Sequence, residues 1–104
     1  MATVAVSLEN RNEIVEDGVS VLYFTAAWCG PCQQFGPVVN QISDEEPDVR
    51  FGKVDIDANP ELAEAYGIRS IPTLVAHRDG TPTLRQRGAM SAPELRKLIT
   101  EIKG

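Results

Sequence analysis

Both cysteines of the chain stand in one short stretch, Trp28-Cys29-Gly30-Pro31-Cys32, with two residues between them. Thiols at that spacing can close into a disulfide and be reopened by exchange, in which a thiolate attacks sulfur. Which thiol ionises depends on what surrounds it. The preceding run Val21-Leu22-Tyr23-Phe24-Thr25 reads as a buried strand. After the pair, Phe35, Val38, Val39 and Ile42 recur at i, i+3, i+4 and i+7, the stripe of an amphipathic helix. Cys29 is therefore predicted at or just before the first turn of a helix. The first N–H groups there have no internal partner and the helix dipole adds partial positive charge, so a thiolate is favoured over a thiol. Pro31 suits a first-turn position, where its missing N–H costs nothing.

Three other readings of the pair are weaker. Inert core cysteines would not be separated by polar turn residues. Half of a zinc site lacks its other half, because there is no second Cys pair and His77 is the single histidine, whereas a structural site takes four N or S ligands. A permanent staple over so short a loop would remove little chain entropy. Redox chemistry is the reading that uses both residues, and it needs neither a metal nor an organic cofactor. The acidic Asp55-Ile56-Asp57 invites a metal reading, but a solvated loop accounts for it more simply.

The composition bounds the setting. At 104 residues, with 42% hydrophobic and 24% charged residues, the chain is expected to form one domain, 1–104, with a single core. A net charge of −5 argues against nucleic acid or an acidic membrane surface as a partner. Met1-Ala2-Thr3-Val4-Ala5 lacks the basic start and apolar core of a secretory signal, and no run reaches the length of a membrane span. A cytoplasmic location is the expectation. A single Cys pair also fits a reducing compartment, where such pairs are usually catalytic.

The elements that must position the pair follow from local signals. Thr3-Val4-Ala5-Val6 is a weak strand candidate. Asn10 is placed to cap a first helix, with Glu13 three residues on and Gly18 at its end. Val19 to Thr25 is apolar on both faces and so is predicted at the centre of a sheet. The helix after Cys32 holds Gly36 and Pro37, and Pro37 predicts a kink. Gly36 is either tolerated or admits another backbone, and the sequence leaves both open. Val49 to Asp55 is a third strand, Asn59 and Pro60 open a short helix over 60–66, and Gly67 ends it. Thr73 to His77 and Leu84 to Arg87 are strands joined through Asp79-Gly80, a hairpin signal. Ser91 to Glu94 is a capping box, and Leu95, Leu98, Ile99 and Ile102 form an apolar stripe on the last helix. The order βαβαβαββα implies an α/β fold: one mixed sheet, helices on both faces, a parallel first part and an antiparallel last hairpin.

Trp28-Cys29-Gly30-Pro31-Cys32 resembles the active-site sequence of the thioredoxin family. Lys53-Val54-Asp55-Ile56-Asp57, Tyr66-Gly67-Ile68-Arg69-Ser70-Ile71-Pro72-Thr73 and Gly88-Ala89 follow in that family's order and spacing, so the resemblance covers essentially the whole chain. It implies a thioredoxin fold, with a five-stranded sheet in order 1-3-2-4-5 and four helices. It also implies protein-disulfide reduction, with Cys29 as the more exposed nucleophile and Cys32 as the resolving thiol. Disulfide-bonded proteins and a thioredoxin reductase are the implied partners, and a monomer is expected. Pro72 would be cis beside the cysteines. Trp28, Gly30, Pro31, Ile71 and Gly88 would frame a mostly flat apolar docking surface, although Trp28 alone also admits a core-packing role. His77 reads as structural.

The chain departs from the family in one place. Tyr23 stands six residues before Cys29, where the family usually carries a buried Asp whose neighbour matches Lys53. A phenol is a poor base at neutral pH. Tyr23 is expected in the core beneath Cys32, with Lys53 reaching solvent or pairing with Asp55 or Asp57. A redox partner dedicated to one client and a non-redox binding subunit are the alternative functions.

Overall fold

The sheet is built on β2, Val19–Thr25, of which Ser20 to Thr25 are buried; residues 3–104 are described in the computed structural model. On one side β2 runs parallel to β3, Arg50–Asp55, which in turn pairs in parallel with the two-residue β1, Val4–Ala5. On the other side it is antiparallel to β4, Thr73–Arg78, and β4 is antiparallel to β5, Thr81–Arg87. The strand order is β1-β3-β2-β4-β5, as the resemblance implied. Four helices complete the fold: α1 Arg11–Val15, α2 Gly30–Glu45, α3 Pro60–Ala65 and α4 Ala92–Lys103.

The alternation of side chains along a strand divides β2 between two cores. Val21 and Tyr23 join Phe35, Val39 and Ile42 of α2 and Leu95 and Ile99 of α4. Leu22 and Phe24 face the other way, into a cluster with Val15, Val54, Leu62, Tyr66 and Val75. This double burial is why the β2 sequence reads as continuously apolar rather than alternating.

Local signals are met unevenly. Ser91 and Glu94 form the predicted capping box, with Glu94 N–H donating to Ser91 Oγ at 3.3 Å and Ser91 N–H to Glu94 Oε1 at 2.9 Å. Asn10 does not cap α1. Its Oδ1 accepts from Ser7 N–H and its Nδ2 donates to Ala5 O, both at 2.8 Å, so it braces the loop leaving β1 instead. Asn59 likewise makes no side-chain cap and donates to Asp55 O at 3.1 Å. In both cases a nearby carbonyl offered the amide a competing partner. The helix α2 continues through Pro37 to Glu45. A Cβ at Gly36 would meet only the Tyr23 hydroxyl, at 4.0 Å, so no backbone packs close against it.

Asp79 and Gly80 both have positive φ, 51° and 86°, the conformation a two-residue hairpin turn demands. Strand β5 starts at Thr81, three residues before the expected Leu84. Pro82 is accommodated because β5 is an edge strand, and a register slip after Ala76 leaves Thr83 unpaired as a bulge.

Two features escaped the sequence reading. Gly52 lies where β3 passes under Val6 and Leu22, and a Cβ there would overlap the Val6 side chain and sit 2.8 Å from Leu22 Cδ2. Behind β4, Arg11 Nε donates to Tyr66 Oη at 2.7 Å, and Tyr66 Oη is 2.8 Å from His77 Nε2. This chain joins α1, the end of α3 and β4. His77 is 1% exposed, and burial, aided by the Arg11 cation, depresses its pKa from 6.5 to about 4.

Two outcomes are expected. Gly52→Ala should lower stability by roughly 1–3 kcal/mol, the usual range for overpacking, without altering the cysteine site. Denaturant midpoints against wild type check it. His77 is neutral when folded and titrates near 6.5 when unfolded, so the unfolded state binds the extra proton between those values. Its contribution is complete above pH 6.5 and is lost as pH falls toward about 4. The slope should reach at most about 1.4 kcal/mol per pH unit. His77→Gln should flatten the stability profile across this window, and an unchanged slope would remove His77 as its source.

Candidate active site

Cys29 is the N-cap of α2. Its backbone is extended, φ −89° and ψ 113°, and its Sγ accepts the N–H of Cys32 at 3.2 Å. Pro31 occupies the first turn, so one of the otherwise orphaned donors is absent by construction. The turn is held on both sides: Cys29 N–H donates to Ala26 O at 3.2 Å, and Gln33 Nε2 donates to Ala27 O at 2.8 Å. The two cysteines form a disulfide with Cα atoms 5.2 Å apart. In this oxidised form both are buried, Cys29 5% and Cys32 2% exposed, so the expected contrast in exposure is narrow. Their surroundings differ more. Cys29 Sγ lies 3.9 Å from Ile71 O, on the side of the β4 approach, whereas Cys32 lines a cleft behind the site.

Trp28 is 68% exposed, which excludes the core-packing alternative. Its Nε1 donates to Asp57 Oδ2 at 2.7 Å, so the indole is tethered although it is open to solvent. Asp55 Oδ1 accepts the N–H of Asp57 at 2.9 Å and closes the loop that presents that carboxylate. The acidic stretch is thus a solvated loop with a positioning task, which its charge alone did not reveal. Among the described residues no group of three or more His, Cys, Asp or Glu could hold a metal.

The Ile71–Pro72 bond is cis, and Pro72 is buried. Pro72 O accepts the N–H of Gly88 at 2.9 Å, and Gly88 reaches it with φ +88°. Thr73 Oγ1 donates to Ser70 O at 2.7 Å and fixes the approach from the other side. Between Trp28 and Ile71 runs a shallow groove of about 100 Å³, completed by Ile56, Ile68, Arg69 and Ser70. Gly30, Pro31 and Gly88 are exposed around the cysteines. The surface is therefore less purely apolar than expected, since Arg69 lines it. Ile56, Ile68 and Arg69 were missed as lining residues because they lie on loops, where hydrophobic period carries no information.

Tyr23 is 2% exposed, and its hydroxyl donates to Cys32 O at 3.0 Å. Burial pushes its pKa above the ordinary phenol value, so it is no base near neutral pH. Lys53 is exposed and, among the described residues, forms no ion pair with Asp55 or Asp57. His77 is engaged with Tyr66 and has no place in the cysteine cluster.

A vicinal-type pair with one sulfur at a helix N-terminus can cycle between dithiol and disulfide. Comparison with known proteins agrees. The thioredoxin family model matches residues 2–101. A thioredoxin of Chlamydia caviae is 41% identical over 96 residues, covering 92% of this chain and 94% of the relative. The structure of a mutant thioredoxin from Halobacterium salinarum NRC-1 superposes with a TM-score of 0.90 at 33% identity, over 99% of this chain and 92% of the other. For the thioredoxin of Malassezia sympodialis the TM-score is 0.86 at 34% identity, over 100% and 94% of the two chains. With fold, pair and sequence in agreement along its length, the chain belongs to the thioredoxin family and is a thiol–disulfide oxidoreductase, reducing protein disulfides by dithiol–disulfide exchange.

Proposed function

We propose that Cys29 is the attacking thiolate and Cys32 the resolving thiol of a general protein-disulfide reductase. The observation that carries this assignment is the bond from Cys32 N–H to Cys29 Sγ at the start of α2. Negative charge on that sulfur gains a donor and the helix dipole, and among the described residues no N–H donates to Cys32 Sγ. In the first step the Cys29 thiolate attacks one sulfur of the substrate disulfide. A new S–S bond forms, and the other substrate sulfur leaves as thiolate. Cys32 then loses its proton and attacks Cys29 Sγ. The mixed disulfide breaks, the second substrate sulfur leaves, and the pair is left oxidised by two electrons. Tethering makes this second step intramolecular, so it outruns escape of the trapped partner.

An extended substrate segment would lie beside Ile71 and Pro72, where proline offers no N–H and the Ile71 carbonyl stays near Cys29. Trp28, Gly30, Pro31 and Gly88 frame that approach. Family membership brings disulfide-bonded proteins as substrates and a thioredoxin reductase as the recharging partner in general. Among the described residues no helix is long and apolar enough to cross a membrane. A monomer working in the cytoplasm as one domain is the setting that fits the acidic surface and the single cysteine pair.

Alkylation of the reduced protein near neutral pH should modify Cys29 much faster than Cys32, read by mass spectrometry of peptides. Equal rates, or the reverse order, would exchange or cancel the roles. Cys29→Ser should abolish reduction of a generic protein disulfide. Cys32→Ser should instead accumulate stable mixed disulfides with many different proteins; a single trapped protein would point to a dedicated client.

A further inference from the structure

Behind the cysteines a cleft of about 240 Å³ opens between α2 and the sheet, and Cys32, Gln33, Asn40, Tyr23, Thr25 and Lys53 are among its lining residues. Among the described residues no carboxylate lines it. The acids nearest along β3 are engaged elsewhere, Asp55 with backbone N–H groups and Asp57 with Trp28. The titratable groups that face Cys32 here are Tyr23 from β2 and Lys53 from β3, which are register partners, while β4 offers Leu74 beside Tyr23. The Tyr23 hydroxyl crosses from the sheet to the helix and bonds the Cys32 carbonyl, and a Cβ added at Gly36 would lie 4.0 Å from it. Its ring stands edge-on to Phe35, centroids 5.7 Å apart and planes at 89°, a contact that helps aim the hydroxyl.

We propose that Tyr23 is a positioning residue for the resolving step: its hydroxyl holds the Cys32 backbone so that the thiol stays in line with Cys29 Sγ, and the Cys32 proton leaves through the cleft, past Lys53, to water. This rests on the assignment of Cys32 as the resolving thiol. The Tyr23 proton is committed to the Cys32 carbonyl and takes no part in the transfer. Cys32–SH gives its proton to cleft water, and the thiolate attacks Cys29 Sγ. The bond to the substrate breaks and its electron pair stays on the departing sulfur. The Lys53 ammonium at the same cleft favours the thiolate over the thiol by its charge. Attack by Cys29 on the substrate involves neither residue. The two steps must therefore respond separately.

An aromatic disulfide that releases a coloured thiolate at each step separates them, since Cys29 releases the first equivalent and Cys32 the second. Tyr23→Phe removes only the hydroxyl. It should leave the first phase unchanged and slow the second roughly fivefold, the effect of losing one hydrogen bond from the reacting geometry. Lys53→Gln, at an exposed position, should move the midpoint of the second phase to higher pH. Equal slowing of both phases by Tyr23→Phe, or none, would overturn the positioning role. A second-phase pH profile unmoved by Lys53→Gln would overturn the route through the cleft. If wild type never releases the second equivalent, the resolving assignment of Cys32 fails instead, and that outcome is visible before any variant is made.

Discussion

A helix begins with amides that have no partner inside it, and at the start of α2 one of them finds sulfur. That single bond, Cys32 N–H to Cys29 Sγ, sets the requirements for the rest of the molecule. The acceptor must be an N-cap, so the chain has to leave β2 in extended conformation and turn at once into a helix. Proline at position 31 is compatible because the first turn has donors to spare. The sulfur must also meet a substrate, so the helix has to start just past the end of the central strand β2, where the Pro72 loop lies beside it. Strand β2 supplies the rigid base: its residues are buried on both faces, and shifting it would disturb two cores at once.

The same logic explains which polar groups the interior tolerates. Tyr23 and His77 are both nearly inaccessible, and Tyr23 Oη and His77 Nε2 are each aimed at a partner on another element, while His77 Nδ1 and Ser20 Oγ have no partner among the described residues. A buried hydroxyl left without a partner costs about 1–3 kcal/mol, a large share of what burying its ring contributes. Tyr66 carries two such duties, taking the Arg11 guanidinium N–H on one side and meeting His77 on the other. These contacts tie α1, α2 and α3 to the sheet at points where apolar packing alone would leave rotation possible.

Much of this was legible in the sequence, and what was not has physical reasons. The thiol pair, the central strand, the stripe on α2 and the Ser91 capping box each depend on residues close together in the chain, and each was found there. The fold's strand order and the cis bond before Pro72 came from resemblance, because a local pattern does not specify which strands pair. Asn10 and Asn59 carried the composition of caps but bonded other carbonyls, Ala5 O and Asp55 O, which only the folded loops bring within reach. Gly52 looked ordinary because its neighbours, Val6 just past β1 and Leu22 on β2, lie far from it in the sequence. The Arg11–Tyr66–His77 chain spans three elements for the same reason. Asp57 was seen as acidic, but its partner Trp28 lies 29 residues away.

The borders of the sheet matter to a protein that reduces the disulfides of others. One border is β1, only two residues long, and the other is β5, interrupted by Pro82 and by the unpaired Thr83. Arg85 and Arg87 add charge along that outer strand, and both are exposed. An arriving strand would find missing donors, a break in register and a charged row, each of which discourages lateral addition. The chain can therefore meet disulfide-bearing proteins at its sulfurs without its flanks seeding growth into larger aggregates, and contact with unfolded or partly folded material need not end in co-precipitation.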